Sequence, residues 1–147
     1  MRPFGAVARD TAGTSAIEFA FIAPVLMLLA LGTVQFGLTL NNYITLTEAV
    51  RTASRQLSVS RGGSTPYTDT VNQMYRSAPN LIRANLTISL SVNGTACSTD
   101  TTCLSALAGA QGRPASVDAS YPCDLTFMGH DFAPGCTLAS QTTERVE

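Results

Sequence analysis

Hydrophobic and polar residues are spread unevenly along this chain. No residue between Phe19 and Thr47 carries a charge, and residues 17–40 read IEFAFIAPVLMLLALGTVQFGLTL. As a helix this run spans about 36 Å at ~1.5 Å per residue. A bilayer's hydrocarbon core is ~30 Å thick, so the run predicts a membrane-spanning helix with some tilt. Residues 41–60 contain no Pro or Gly. Within them Leu46, Ala49, Val50, Ala53 and Leu57 recur at the spacing of one helical face. Glu48, Arg51 and Arg55 lie off that stripe, and Glu48 and Arg51 are spaced to pair. The stripe is expected to pack on the domain behind it, with Ala49 and Ala53 allowing close approach. Arg61-Gly62-Gly63 ends the pattern, Gly being the usual helix stop. One continuous helix follows, half in lipid and half outside.

The chain then changes character. Ser64-Thr65-Pro66 reads as a turn. Residues 68–83 read as a helix broken at Pro79, with Val71, Met74, Tyr75 and Ala78 as its apolar side. Leu86, Ile88, Leu90 and Val92 alternate with Thr87, Ser89 and Ser91, the pattern of a half-buried strand. Asn93-Gly94 is a turn signal, followed by a loop between Cys97 and Cys103. A short helix is expected over 104–110, closed at Gly112, and a second strand over 115–121. A loop over 122–135 lies between Cys123 and Cys136, and a third strand over 137–146. Tyr121, Phe127, Met128 and Phe132 are expected to fill the core beneath that loop. The fold class is α+β: a small antiparallel sheet packed on a long N-terminal helix, a lollipop in outline.

Composition narrows the function. The chain has 147 residues with 9 basic and 10 acidic side chains, a net charge of −1. That balance lacks the basic patch of a nucleic-acid binder. Charged residues are 13% of the chain, about half the usual ~25%. Every basic residue is Arg, which reads as genomic base composition. Two other readings of the apolar run remain: a buried core helix, and a cleaved secretory signal with a mature start after about residue 35. The rest of the chain is too small and polar to wrap the run, and no small-x-small site follows it. Basic residues flank the run on both sides, so they do not orient it. All four cysteines, Cys97, Cys103, Cys123 and Cys136, follow it. An even set in a small polar domain reads as disulfides in an oxidising compartment. Three connectivities are open, local pairing being the simplest. The N-terminus is therefore placed in the cytoplasm and the rest outside. A metal site is disfavoured, because there is no C-x-x-C and His130 is the single histidine.

Glu18 stands at the head of the apolar run, where an ionisable group is costly. It either lies at the interface and reaches water or serves a function. Gly13-Thr14-Ser15-Ala16-Ile17-Glu18-Phe19, behind a short polar leader with Arg9, resembles the prepilin pattern. Further along stand Ala20, Pro24 with a leucine-rich run, Gln35-Phe36-Gly37, and Ala49-Val50-Arg51-Thr52-Ala53-Ser54-Arg55. Together, over about residues 13 to 61, they resemble the TadE-like family of minor pseudopilins in tight-adherence (Flp-type) pili. Gln35 replaces the Glu often found at that place.

The resemblance implies three segments. Residues 1–13 would be a cytoplasmic leader removed between Gly13 and Thr14 by a prepilin peptidase. Residues 14–61 would be the long helix, spanning the inner membrane over about 17–40. Residues 62–147 would form a periplasmic domain with two disulfides. The length suits the small type of the family, without the extra domain of its larger members. Cleavage would expose an α-amine, charged at neutral pH, and Glu18 beside Phe19 would pair with a neighbour's amine to set subunit register. An unpaired charge in a low-dielectric bundle costs several kcal/mol. Pro24 is either a harmless kink or a bend that helps the subunit leave the bilayer. The implied partners are other pilins or pseudopilins, the prepilin peptidase, the pilus inner-membrane platform and the membrane, with no nucleic acid and no cofactor. The implied role is structural: priming, capping or basing the pilus, with possible incorporation into it. The alternative is an unprocessed single-pass anchor presenting a disulfide-stabilised binding module. No phosphate loop, G-x-S-x-G or H-E-x-x-H is present. His130-Asp131 stands apart from any reduced nucleophile, so no enzyme is expected.

Overall fold

Helix α1 occupies Thr11–Val59 without interruption, Pro24 included. The structure, a computed structural model, describes residues 11–123, 125–127 and 129–147, with side chains from residue 16 onward apart from Phe127. The chain forms two compact units that meet in sequence between Gly37 and Leu38. The first unit, as far as it is described, is the N-terminal part of α1. Its large apolar side chains from Ile17 to Phe36 are exposed, apart from the half-buried Leu31.

The second unit, Leu38–Glu147, contains the core. Leu46, Ala49, Val50, Ala53 and Leu57 of α1 are fully buried, the five positions of the apolar stripe. Ser54 and Ser58 are buried with them. Their hydroxyls donate to the Arg51 and Arg55 carbonyls at 3.0 and 2.8 Å, so no polar group is stranded. Glu48 and Arg51 pair at 3.6 Å on the exposed side.

Helix α2 runs Pro66–Ser77, shorter than the expected 68–83 and shifted toward the N-terminus. Pro66 fits the first helical position, where its missing N–H costs nothing. Pro79 disfavours helical backbone at Ala78, so α2 stops before it. Met74 and Thr70 are buried, and the Thr52 hydroxyl of α1 donates to Ser77 Oγ at 2.8 Å. Arg83, in a short 3-10 turn over Arg83–Asn85, lies 4.9 Å from the Tyr75 ring centroid.

Strand β1 is Thr87–Val92 and β2 is Thr95–Cys97. Asn93 (φ 51°) and Gly94 (φ 79°) join them, both left-handed, as a two-residue hairpin turn requires. Helix α3, Asp100–Ala108, begins four residues before the expected start. The cause is reciprocal capping: the Thr102 N–H donates to Thr99 Oγ1 at 3.2 Å and the Thr99 N–H to Thr102 Oγ1 at 3.0 Å. Strand β3 is Pro114–Pro122, and β6, after two short strands, is Thr137–Arg145. The sheet order is β2-β1-β3-β6, antiparallel throughout, with Leu90 opposite Val117 and Val117 opposite Thr142. The sheet thus has four strands rather than three. Leu90, Val92, Ala115, Val117, Ala119 and Tyr121 face the core, joined there by Met74, Leu107 and Val146.

Cys97 bonds to Cys103, tying β2 to α3 across a Cα separation of 4.9 Å. Cys123 bonds to Cys136, with Cα atoms 5.3 Å apart, and closes the lobe between β3 and β6. That lobe holds a two-residue ladder, β4 (Thr126–Phe127) with β5 (His130–Asp131). The expected aromatic filling beneath it is only partly realised. Tyr121 is buried, whereas Phe132 is 70% exposed. Met128 and the Phe127 side chain lie outside the described residues.

Candidate functional site

The candidate site is the N-terminal part of α1, and its chemistry follows from what its side chains meet. Ile17, Phe19, Phe21, Ile22, Val25, Leu26, Met27, Leu28 and Leu29 are all exposed, Phe21 by 77%. Every side of the helix is apolar, which is the pattern of a helix solvated by lipid. The segment is long and apolar enough to cross a membrane, and none of its most apolar window is buried in the protein. One hydroxyl within it is satisfied on the helix itself. The Thr33 hydroxyl donates to the Ala30 carbonyl at 2.7 Å. Farther along, Thr45 and Thr47 donate to Asn41 and Tyr43 carbonyls at 2.9 Å each. Such back-bonding satisfies hydroxyls that a bilayer cannot.

Glu18 is exposed between Ile17 and Phe19, also exposed. Its carboxylate sits on the helix surface at the edge of the apolar segment, where it can reach water or a neighbouring chain. Pro24 lies inside α1. Its ring removes the hydrogen bond that the Ala20 carbonyl would otherwise accept. Gly13 and Thr14 fall in the first turns of α1 as backbone, with Thr11 and Ala12 ahead of them; residues 1–10 of the expected leader lie outside the described residues. Gly32 and Gly37 have no neighbour that a Cβ would meet, so a second helix could approach at either.

In the second unit, His130 and Asp131 are the residues the sequence offered for chemistry. His130 is exposed on β5, and Asp131 Oδ1 accepts the Ala133 N–H at 2.9 Å within its own lobe. Among the described residues no three His, Cys, Asp or Glu side chains gather to hold a metal. One polar contact was not visible in the sequence. Asp100, at the start of α3, accepts from the Thr68 N–H at 2.9 Å and the Thr68 hydroxyl at 2.7 Å, joining α3 to α2. The Thr68 hydroxyl first, and its backbone N–H second, hold the Asp100 carboxyl below its ordinary value. The nearest signal was the Thr99-to-Thr102 spacing, which marks a helix start but not its partner.

Comparison with known proteins agrees with the placement on α1. The family model described as TadE-like protein matches residues 13–55. No curated protein and no solved structure matches the chain. The matched stretch begins at Gly13, takes in Glu18, Phe19 and Pro24, and ends within the buried stripe of α1. Over residues 13–55, this chain is similar to the TadE-like family.

Proposed function

We propose that the protein is a minor pilin or pseudopilin that takes part in assembling a tight-adherence type IV pilus, by priming it, capping it or forming its base. The observation that carries this reading is the start of the TadE-like match at Gly13, five residues before Glu18 on an uncovered apolar helix. The chain is held in the inner membrane by about residues 17–40, with its N-terminus in the cytoplasm and the disulfide-bonded unit in the periplasm. Prepilin peptidase removes residues 1–13. The new Thr14 amine of one subunit and Glu18 of another then compensate each other as the apolar helices pack. Pro24 loosens one turn of the helix, which eases its passage from bilayer to filament. The partners are other pilins and the inner-membrane platform.

The test is the intact mass and N-terminal sequence of protein purified, without reduction, from membranes of a host with its prepilin peptidase. A start at Thr14 supports the reading. A start at Met1 overturns processing and favours a single-pass anchor presenting a binding module. The two disulfides of the second unit lend that alternative some support.

A further inference from the structure

The two disulfides sit in different surroundings. Cys97 and Cys103 are 2% and 0% exposed and belong to the hydrophobic core. A thiolate opens a disulfide by attacking one of its sulfurs, so exchange needs a path to that sulfur. Close core packing leaves no such path to Cys97 or Cys103 while the sheet is folded. Cys123 is also buried, but it lies outside that core. Cys136 is half-buried, and Pro134, Gly135 and Thr137 around it are exposed.

The lobe on one side of this second disulfide is lightly held. Its ladder, β4 with β5, is two residues long. Beyond that ladder, the Phe132 N–H donates to the Leu125 carbonyl at 3.3 Å and the Cys136 N–H to the Ala133 carbonyl at 3.0 Å. Segments with few buried contacts open locally at low free energy. The other side of the disulfide is firm. The β3–β6 ladder runs as far as Pro122 opposite Thr137, one residue from each cysteine. The Cys123 N–H donates to the Cys136 carbonyl at 3.1 Å. Cutting the sulfur–sulfur bond therefore leaves the sheet paired and the two cysteines opposite each other.

We propose that Cys136 Sγ is a thiol–disulfide exchange site, through which a dithiol carrier opens and recloses the lobe while the sheet stays folded. One thiolate of the carrier bonds to Cys136 Sγ. The bond to Cys123 breaks, and its electron pair leaves on Cys123 Sγ, which takes up a proton. The carrier's second thiolate then attacks the carrier sulfur of this mixed disulfide, and Cys136 Sγ leaves with the electron pair and is protonated in turn. The protein disulfide is reduced to two thiols, and the dithiol is oxidised to a disulfide. An oxidised carrier closes the lobe by the same steps reversed, helped by the ladder that keeps the cysteines opposite each other. The inference rests on the second unit alone and not on the pilus reading.

The test uses the full chain in detergent under native conditions, with dithiothreitol as the dithiol. Samples are quenched with excess N-ethylmaleimide at intervals and mapped by peptide mass. Cys123 and Cys136 should be alkylated at least tenfold faster than Cys97 and Cys103, through a species with one disulfide open. In that species the Phe132 and Cys136 amides should exchange with solvent at least tenfold faster, while Leu90 and Val117 keep their protection. The sulfur attacked is read with glutathione, a monothiol, by quenching in acid: the mixed disulfide should be found on Cys136. Equal rates for the two disulfides, or earlier opening of Cys97–Cys103, overturn the exchange site. A mixed disulfide on Cys123 overturns the choice of sulfur. Protection lost across the whole sheet in the singly opened species overturns the separate opening of the lobe.

Discussion

Glu18 is useful at the scale of single residues because the chain offers so few competing groups. It contains no Lys, so its α-amine is its only primary amine. A zero-length carbodiimide cross-linker joins amines to carboxylates, and between subunits it would report the proposed pairing directly. Glu18→Ala should leave cleavage after Gly13 intact while abolishing a carbodiimide-linked dimer of the processed protein and impairing piliation. Normal piliation in that variant would sink the pairing. Asp100 offers a second residue-scale prediction. Its folded carboxyl titrates below the ordinary 3.8 because Thr68 donates to it. Stability from this contact is therefore fully present above pH 3.8 and is lost as pH falls through the lower folded value. Asp100→Asn should lower the thermal midpoint at neutral pH, and the gap to the parent should close in strong acid. A gap that does not change with pH would assign the contact's value to something other than the carboxylate's charge.

Among the elements, the lobe between β3 and β6 depends most on its covalent closure. Its ladder is two residues long and Phe132 projects to solvent. Chain entropy alone gives the Cys123–Cys136 closure about 3 kcal/mol. Replacing both cysteines by Ala should lower unfolding free energy by about that amount, read by denaturant titration. Exchange protection at the centre of the β1–β3 ladder should persist below the unfolding transition. The long elements were legible in the sequence. The α1 stripe and the alternation from Leu86 to Val92 repeat often enough to declare a face. The short ones were not. Strand β2 has too few residues to alternate, and Thr95–Cys97 finds its place only through β1. The start of α3 was hidden because Asp100-Thr101-Thr102 favours helix weakly, and reciprocal capping supplies what propensity does not. Phe132 was misread as core because an apolar side chain does not reveal whether its loop has an interior. For the candidate site, Glu18, Phe19 and Pro24 are singled out by the motif alone. Their exposed helix supplies no packing contacts that would have made the same selection.

For the whole molecule, the division at Gly37 and Leu38 separates two kinds of surface. The first unit exposes apolar side chains on all sides, and the second buries its own. Five fully buried apolar residues of the second unit belong to α1. A fragment of residues 38–147, expressed in an oxidising compartment, should thus be soluble and unfold cooperatively. A fragment of 62–147 lacks the helix that covers the sheet and should show no cooperative transition by circular dichroism. Cooperative unfolding of the shorter fragment would mean that the sheet and the two small helices suffice. The longer fragment also separates membrane residence from folding: it should leave the membrane fraction while retaining both disulfides.

The hairpin turn at Asn93-Gly94 has a consequence for the protein's chemical ageing. An asparagine followed by glycine leaves its side-chain amide open to attack by the next backbone nitrogen, because glycine has no Cβ to obstruct the ring. The product, isoaspartate, adds a carbon to the main chain and a negative charge to the turn. Here the Asn93 N–H also donates to the Pro114 carbonyl at 2.7 Å, so the damage would fall where β1, β2 and β3 meet. Aged preparations should gain isoaspartate first at this position, and the pairing of Val92 with Thr95 should be the first part of the sheet to loosen.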